Sequence, residues 1–291
     1  MELPLVVGID GSESSLTAVE WATDEAARHG LPLRLVYASL WERYEGVVPS
    51  SGRGRPSEQV LAENIVRAAA VRARRRNPEV KVSGDVLPED PVSALLREGN
   101  NAFALVTGSR GRGELKGLLL GSVSLAVAAR AHCPVIVVRG DTAGLTGAHD
   151  RVLLGAGDPK MTDEALRFAC REAEVRGCVL DVVRAWRHPT GATKDHLVSA
   201  EEPTRETEQR ASDPLDGLIS DAMTDHPEVR VRPATVEGPA QTVLLRRSAA
   251  ADLVVIGARR RQGHSGLQLG RVGHRLLHHA DCPVAVVPQR T

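Results

Sequence analysis

The sequence is written twice, and that repetition limits the possible folds more than any single motif. The stretch LVVGIDGSESSLTAVEWATDEAARHGLPLRLVYA (residues 5–38) returns as VLLGAGDPKMTDEALRFACREAEVRGCVLDVVRA (152–185), and ALVTGSRGRG…CPVIVV (104–138) returns as LVVIGARRRQ…CPVAVV (253–287). Gly8 recurs as Gly155, 147 positions on; Gly108, Gly121 and Cys133 recur as Gly257, Gly270 and Cys282, each 149 positions on. Constant spacing over such a distance marks an internal duplication. Two tandem domains are expected, over residues 1–140 and 150–291, joined by the Gly/Thr-rich GDTAGLTGAHD (140–150).

Within each copy, short β-branched runs alternate with longer amphipathic stretches, the pattern of βαβ units that build a parallel sheet. Copy one predicts strands near 3–9, 32–38, 80–87, 103–107 and 134–138, with helices over 13–29, 57–77, 91–100 and 122–132. Copy two predicts strands near 151–156, 178–185, 228–236, 252–256 and 283–287. Ser12 or Ser14 can cap the first helix and Gly30 can end it. Runs such as LVVG, ALVTG and PVIVV are apolar throughout, as expected of strands covered on both faces. The expected class is α/β, two doubly wound domains with helices on both faces of each sheet.

Composition removes several functions. Lys+Arg and Asp+Glu number 37 each, so the chain lacks the basic excess with which proteins neutralise nucleic-acid phosphates. Aromatic residues are 2%, too few to provide stacking platforms for single strands. No apolar run approaches the ~18–20 residues that cross a bilayer. MELPLVVGIDGS has neither the basic region nor the long apolar core of a signal peptide, so a cytoplasmic location is expected. Cys133, Cys170, Cys178 and Cys282 form no CxxC pair and read as buried, reduced thiols.

In open parallel sheets, ligands bind beyond the carboxyl ends of the strands, where the strand order reverses. In each copy the first and fourth strands would flank that crevice. In copy one the first strand ends in GIDGS (8–12), and the fourth runs into TGSRGRGELKGLLLGSVSLAV (107–127). That segment carries Gly108, Gly111, Gly113, Gly117 and Gly121 into a helix beginning at Ser122. Two readings of so much glycine are open. It is either an anion site, with bare backbone and a helix N-terminus facing phosphates and Ser122 and Ser124 adding hydroxyl donors, or a connector whose glycines form turns. The segment completes neither GxxxxGK[ST] nor GxGxxG.

Gly108-x-x-Gly111, nine residues, then Gly121-Ser122 resembles the G-2x-G-9x-G-[S/T] motif of the universal stress proteins. VVGIDGSESSLTAVEWA is similar to that family's opening strand and helix, and CPVIVV to its closing strand. The resemblance spans the chain twice. It implies five parallel strands per domain in the order 3-2-1-4-5. For copy one it implies ATP binding, with Asp10 on the nucleoside and Ala38 walling the adenine. Thr107, Gly108, Gly111, Gly121, Ser122, Val123 and Ser124 would line the ribose and phosphates, with Mg²⁺ or Mn²⁺ held through the phosphates. The implied role is a stress-response regulator with little or no turnover. A slow metal-dependent ATPase and a nucleotide-free interaction module are the alternatives. The resemblance also implies that the two domains pair through their fifth strands, an intramolecular pseudo-dimer that could dimerise further or meet other protein partners.

Copy two departs from the motif. Gly157 stands at the Asp10 position, with Asp158 adjacent; Arg260, Arg271 and Gly273 replace Gly111, Ser122 and Ser124. If Gly111 is left-handed, a side chain there costs roughly 1–2 kcal/mol, and the loop of copy two should take another shape. A cation at a helix N-terminus is unfavourable by about 0.3–1 kcal/mol. Copy two reads as a degenerate site.

Other features are weaker. Trp41 and Trp186 each follow a second strand, opening segments (39–56 and 186–203) that either cover the crevice or anchor a loop. Arg67, Arg72, Arg74, Arg75 and Arg76 in RAAAVRARRRNP (67–78) read as the wet face of a helix. His274 and His278 are four apart on one helix, near His264 and His279 in sequence, but no third metal ligand is apparent. A phosphoacceptor receiver would need an acidic pair after the first strand and a Lys after the fifth; this chain has Asp10 alone and Arg139.

Overall fold

The computed structural model describes residues 2–40, 57–111, 120–157, 162–187, 217, 219–220, 222–260 and 267–289. The chain divides into two compact units, the first holding the residues up to Arg139 and the second running from Gly140 to Arg260 and resuming at Gln268.

The first unit contains β1 (Leu5–Gly8), α1 (Glu13–His29), β2 (Leu33–Ala38), α2 (Ser57–Arg76), β3 (Val82–Leu87), α3 (Pro91–Gly99), β4 (Ala104–Gly108), α4 (Ser122–Ala128) and β5 (Val135–Val138). Its strands lie in the order β3-β2-β1-β4-β5, and the register of each neighbouring pair is parallel. The order reverses between β1 and β4, so the crevice opens beyond their carboxyl ends. β4 and β5 are buried at every residue, and Leu5, Leu33, Leu35, Leu105 and Ile136 form the innermost core.

Local sequence sets the helix ends. Ser12 is the N-cap of α1, its hydroxyl accepting from Ser15 N, and Gly30 closes the helix in the left-handed region at φ 67°. Asp90 caps α3 by accepting from Ser93 N, with Pro91 in the first turn. α4 differs: Gly121 caps it in extended backbone with no side-chain hydrogen bond. Its first N–H groups therefore lack the acceptor that Ser12 and Asp90 supply elsewhere.

The second unit contains α5 (Thr142–Thr146), β6 (Arg151–Gly155), α6 (Asp163–Arg176), β7 (Val179–Trp186), β8 (Arg230–Glu237), α7 (Ala240–Ser248), β9 (Leu253–Arg260), α8 (Gly270–His279) and β11 (Val284–Pro288), and the division between units falls within the two-residue β10 (Leu267–Gln268). Its order, β8-β7-β6-β9-β11, is the same parallel arrangement. The order 3-2-1-4-5 implied by the resemblance is thus found in both units.

Three details differ from the sequence reading. The Gly/Thr-rich joint contains a helix, α5, which Asp141 caps by accepting from Gly144 N at 2.9 Å and Gly147 ends at φ 75°. Trp186 does not open a loop; it is the last residue of β7 and pairs with Glu237. β9 runs to Arg260, four residues past the expected end. Trp41 and nearly all of the segment after β2 lie outside the described residues, as does His264. The rings of His274 and His278 stack with centroids 6.1 Å apart. All four cysteines are buried, and burial pushes the Cys133 and Cys170 thiols up to about 11.

Candidate functional site

A cleft of about 460 Å³ opens at the switch point of the first unit. All nine residues singled out from the sequence line it. Asp10 comes from the end of β1, Ala38 from β2, Thr107 and Gly108 from β4, Gly111 from the loop, and Gly121, Ser122, Val123 and Ser124 from the start of α4. Lys116 and the glycines 113 and 117 lie outside the described residues.

The loop is fastened at its base. Ser109 N donates to Val138 O at 3.0 Å, and Gly121 N donates to Ser109 O at 2.8 Å, so the two ends of the 109–121 segment meet beside β4. Arg110 N donates to Ser14 Oγ at 3.1 Å, tying the loop to the first turn of α1. The described ends of the loop are therefore held against β5, α1 and each other.

The glycines are bare for reasons partly internal to the protein. A Cβ on Gly108 would lie 2.6 Å from both the carbonyl oxygen and the hydroxyl of Ser14, so this glycine admits α1 against β4. A Cβ on Gly111 would lie 2.8 Å from Asp10 Oδ2. Gly111 is not in the left-handed region, which corrects the expectation that backbone strain would exclude a side chain there. A side chain there would instead press on the Asp10 carboxylate. Gly121 is different: a Cβ would meet nothing closer than 3.6 Å, so only the space in front of α4 stays open because of it.

The side chains divide by what they already bind. Asp10 Oδ1 accepts from Ser12 N at 2.9 Å and from Ser12 Oγ at 2.6 Å, a turn that also needs Gly11 at φ 81°. Ser124 Oγ is buried and donates to Gly108 O at 2.7 Å. That commits its proton, so Ser124 anchors α4 to β4 and is not the free donor that its position in the first turn suggested. Ser122 is exposed, and its hydroxyl has no partner among the described residues. The Thr107 hydroxyl is buried and has no partner among the described residues, with the residue only 4% exposed.

Sequence reasoning missed the opposite bank. Ile9, Val36, Pro91 and Leu95 join Ala38 to form an apolar wall, with Gly8 at its foot because a Cβ there would lie 2.8 Å from Leu95 Cδ1. Pro91 and Leu95 come from α3, which no loop motif marks. Arg110 was also passed over, as an unspecified motif position. With Asp10 it supplies the charged side chains among the described lining residues. The cleft thus pairs an apolar wall with a polar bank of backbone N–H groups, the exposed hydroxyl of Ser122, the buried hydroxyl of Thr107 and the Arg110 guanidinium.

A family model described as the universal stress protein family matches residues 3–139 and again 149–288. The chain belongs to that family. A universal stress protein of Mycobacterium tuberculosis is 32% identical over 306 residues, covering 98% of this chain and 97% of the relative. A second from the same organism is 30% identical over 286 residues, covering 98% and 96%. Among solved structures, a universal stress protein from Archaeoglobus fulgidus superposes with a TM-score of 0.71 at 18% identity, covering all of both chains. That likeness extends the shared fold over both universal stress protein domains.

The second universal stress protein domain keeps the fold and alters the crevice. Gly157, at the Asp10 position, donates to Thr162 Oγ1 at 3.2 Å, and its carbonyl accepts from Arg184 Nη1 at 2.9 Å. Ala258, Arg259 and Arg260 continue β9 where Ser109, Arg110 and Gly111 form the loop; Ala258 pairs with Pro288. Gly270 begins α8 at φ 60°, whereas Gly121 is extended at φ −72°. Arg271 stands where Ser122 is free, and Gly273 leaves no counterpart to the Ser124 hydroxyl. Ile256 replaces Thr107, so the unpartnered hydroxyl is absent as well. Asp158 lies outside the described residues.

Proposed function

We propose that the first domain binds ATP and that the chain is a stress-response regulator, acting in the cytoplasm, whose second domain leaves its crevice without nucleotide. The observation that supports this most is the convergence of two unlike banks on one cleft of about 460 Å³. The wall of Ile9, Val36, Ala38, Pro91 and Leu95 suits the flat apolar face of adenine. Asp10, lining the same cleft, offers its carboxylate to a ribose hydroxyl. The uncapped start of α4, with Ser122 and Arg110, suits the phosphates, because free N–H groups and the helix dipole both favour negative charge.

A divalent ion, Mg²⁺ or Mn²⁺, fits this cleft only as a companion of the triphosphate. Asp10 is the one carboxylate among the described lining residues and is already engaged by Ser12, so phosphate oxygens would ligate the ion. The ion would neutralise phosphate charge. The described lining residues include no histidine or lysine to orient an attacking water. Donors that hold ground and transition states equally do not accelerate hydrolysis. Regulation by bound nucleotide is therefore favoured over turnover.

Mass spectrometry of nucleotide released from the denatured, freshly purified chain tests the reading. ATP recovered near one equivalent supports it, and a chain that neither carries nor takes up nucleotide would refute it. Turnover of about 1 s⁻¹ or faster, the ordinary range for enzymes, abolished by Asp10→Ala, would refute the regulatory half alone.

A further inference from the structure

The first domain has a second concave feature. An open groove of about 780 Å³ lies between α1 and α2, with Leu16, Ala68 and Val71 contributing apolar surface and Arg67, Arg72, Arg75 and Arg76 the charge. Two of these cations are already paired: Arg72 Nε lies 2.7 Å from Glu20 Oε1, and Arg76 makes a two-pronged bond to Asp24 at 2.9 and 2.7 Å. The other two are available. Arg67 donates to the neutral Asn64 Oδ1 at 3.1 Å, and Arg75 makes no hydrogen bond or ion pair among the described residues.

The exposed positions of α2 mix charged groups with large apolar side chains. Of the large apolar side chains exposed among the described residues, Leu3, Val60, Leu61 and Val71, three belong to this one helix. Val60, Asn64, Arg67 and Val71 follow one another at steps of four, three and four, which places them in a single row. Scattered exposed apolar residues are ordinary, but Val60 and Val71 aligned with Arg67, beside uncompensated guanidinium groups, form the mixed pattern of a surface kept for a partner.

We propose that this face docks an acidic amphipathic helix of a partner protein. Its apolar stripe would lie over Val60, Val71 and Leu16, with flanking Glu or Asp side chains on Arg67 and Arg75. The occupant follows from complementarity: a groove between two helices accepts a third, the apolar floor calls for side chains rather than a free anion, and the unpaired charges are positive. A membrane surface fits less well, because Glu20 and Asp24 stand beside the same groove and the chain has no net charge.

The test uses the full chain and a fluorescein-labelled acidic peptide of about 18 residues, Leu at helical a/d spacing and Glu beside it. A second peptide with every Glu changed to Lys is the control. The acidic peptide is expected to bind saturably and to weaken with salt. Arg67→Glu together with Arg75→Glu should weaken it roughly tenfold or more, and Val71→Asp severalfold. These positions are on the surface, and an unchanged melting temperature verifies that each variant is folded. Equal binding of the two peptides, indifference to both variants, or no binding would overturn the proposal. So would a concentration-dependent dimer that Val71→Asp abolishes, which would assign the face to a second copy. Binding to anionic vesicles that the two charge reversals abolish, without binding of the acidic peptide, would assign it to lipid and equally overturn the proposal.

Discussion

The two domains share a strand order and part company at the end of the fourth strand. In the first, β4 stops at Gly108, and the chain leaves the sheet and returns through an extended Gly121 into α4. In the second, β9 continues through Arg260, and α8 is entered from a left-handed Gly270. What did not change is as informative. Gly8 and Gly155 each sit where a Cβ would strike a leucine of the facing helix, Leu95 at 2.8 Å and Leu244 at 2.7 Å. That glycine serves the fold and is kept in both copies. Asp10, Gly111 and Ser122 line the cleft, and all three are replaced in the second copy. The duplication thus separates residues that build the domain from residues that furnish its site.

Substitutions can sharpen or break this contrast. The largest expected effect is that of Gly121→Val. The extended backbone at Gly121 accepts valine and no atom obstructs its Cβ, so the domain should fold while the side chain fills the mouth of the cleft. ATP affinity should fall by about a hundredfold or more, a loss near 3 kcal/mol. Gly270→Val should leave ATP binding unchanged and instead lower stability by about 1–2 kcal/mol, because its φ is 60°. Calorimetry and thermal melts of the two variants read both halves of the statement.

Asp10→Ala comes next. If Asp10 accepts from the ligand as proposed, its removal costs about 1.5–3 kcal/mol, or roughly 10- to 100-fold in affinity. Gly157→Asp, the reverse change in the second domain, should create no site, since β9 still runs through the place of the loop. A second calorimetric site in that variant would show that one carboxylate, not the path of the strand, separates the domains.

Ser124→Ala should act on stability more than on binding. It leaves the Gly108 carbonyl without its 2.7 Å hydrogen bond, a cost of about 1–3 kcal/mol. The melting temperature should drop by several degrees with ATP affinity nearly unchanged. A large affinity loss with an unchanged melt would return Ser124 to the phosphates. The smallest effect is expected from Thr107→Val in the absence of ligand. Its buried hydroxyl has no partner, so the change should be neutral or stabilising by about 1 kcal/mol, as Ile256 already illustrates in the second domain.

Much of this was legible in the sequence, because duplication supplied its own control. The element order, the parallel sheets and the nine cleft residues follow from apolar runs, glycine spacing and the family motif. What escaped depends on contacts between distant segments. Nothing near the GxxG loop announces that Gly108 yields to Ser14 or Gly111 to Asp10, nor that the Ser124 proton is committed to a carbonyl 16 residues away. The apolar wall was missed because Pro91 and Leu95 arrive from α3, outside the glycine-rich loop that carries the motif. α5 was a different failure. Asp141 and Gly147 are sound cap signals at each end of TAGLT, and glycine-rich composition obscured them.

The two domains are proposed to differ in occupancy, with one nucleotide per chain. Calorimetric titration of the intact, nucleotide-stripped chain with ATP and Mg²⁺ measures it most directly. A stoichiometry of one per chain, lost in Gly121→Val and kept in Gly270→Val, is the expected result. Two equivalent sites, or a single site lost only in Gly270→Val, would contradict it.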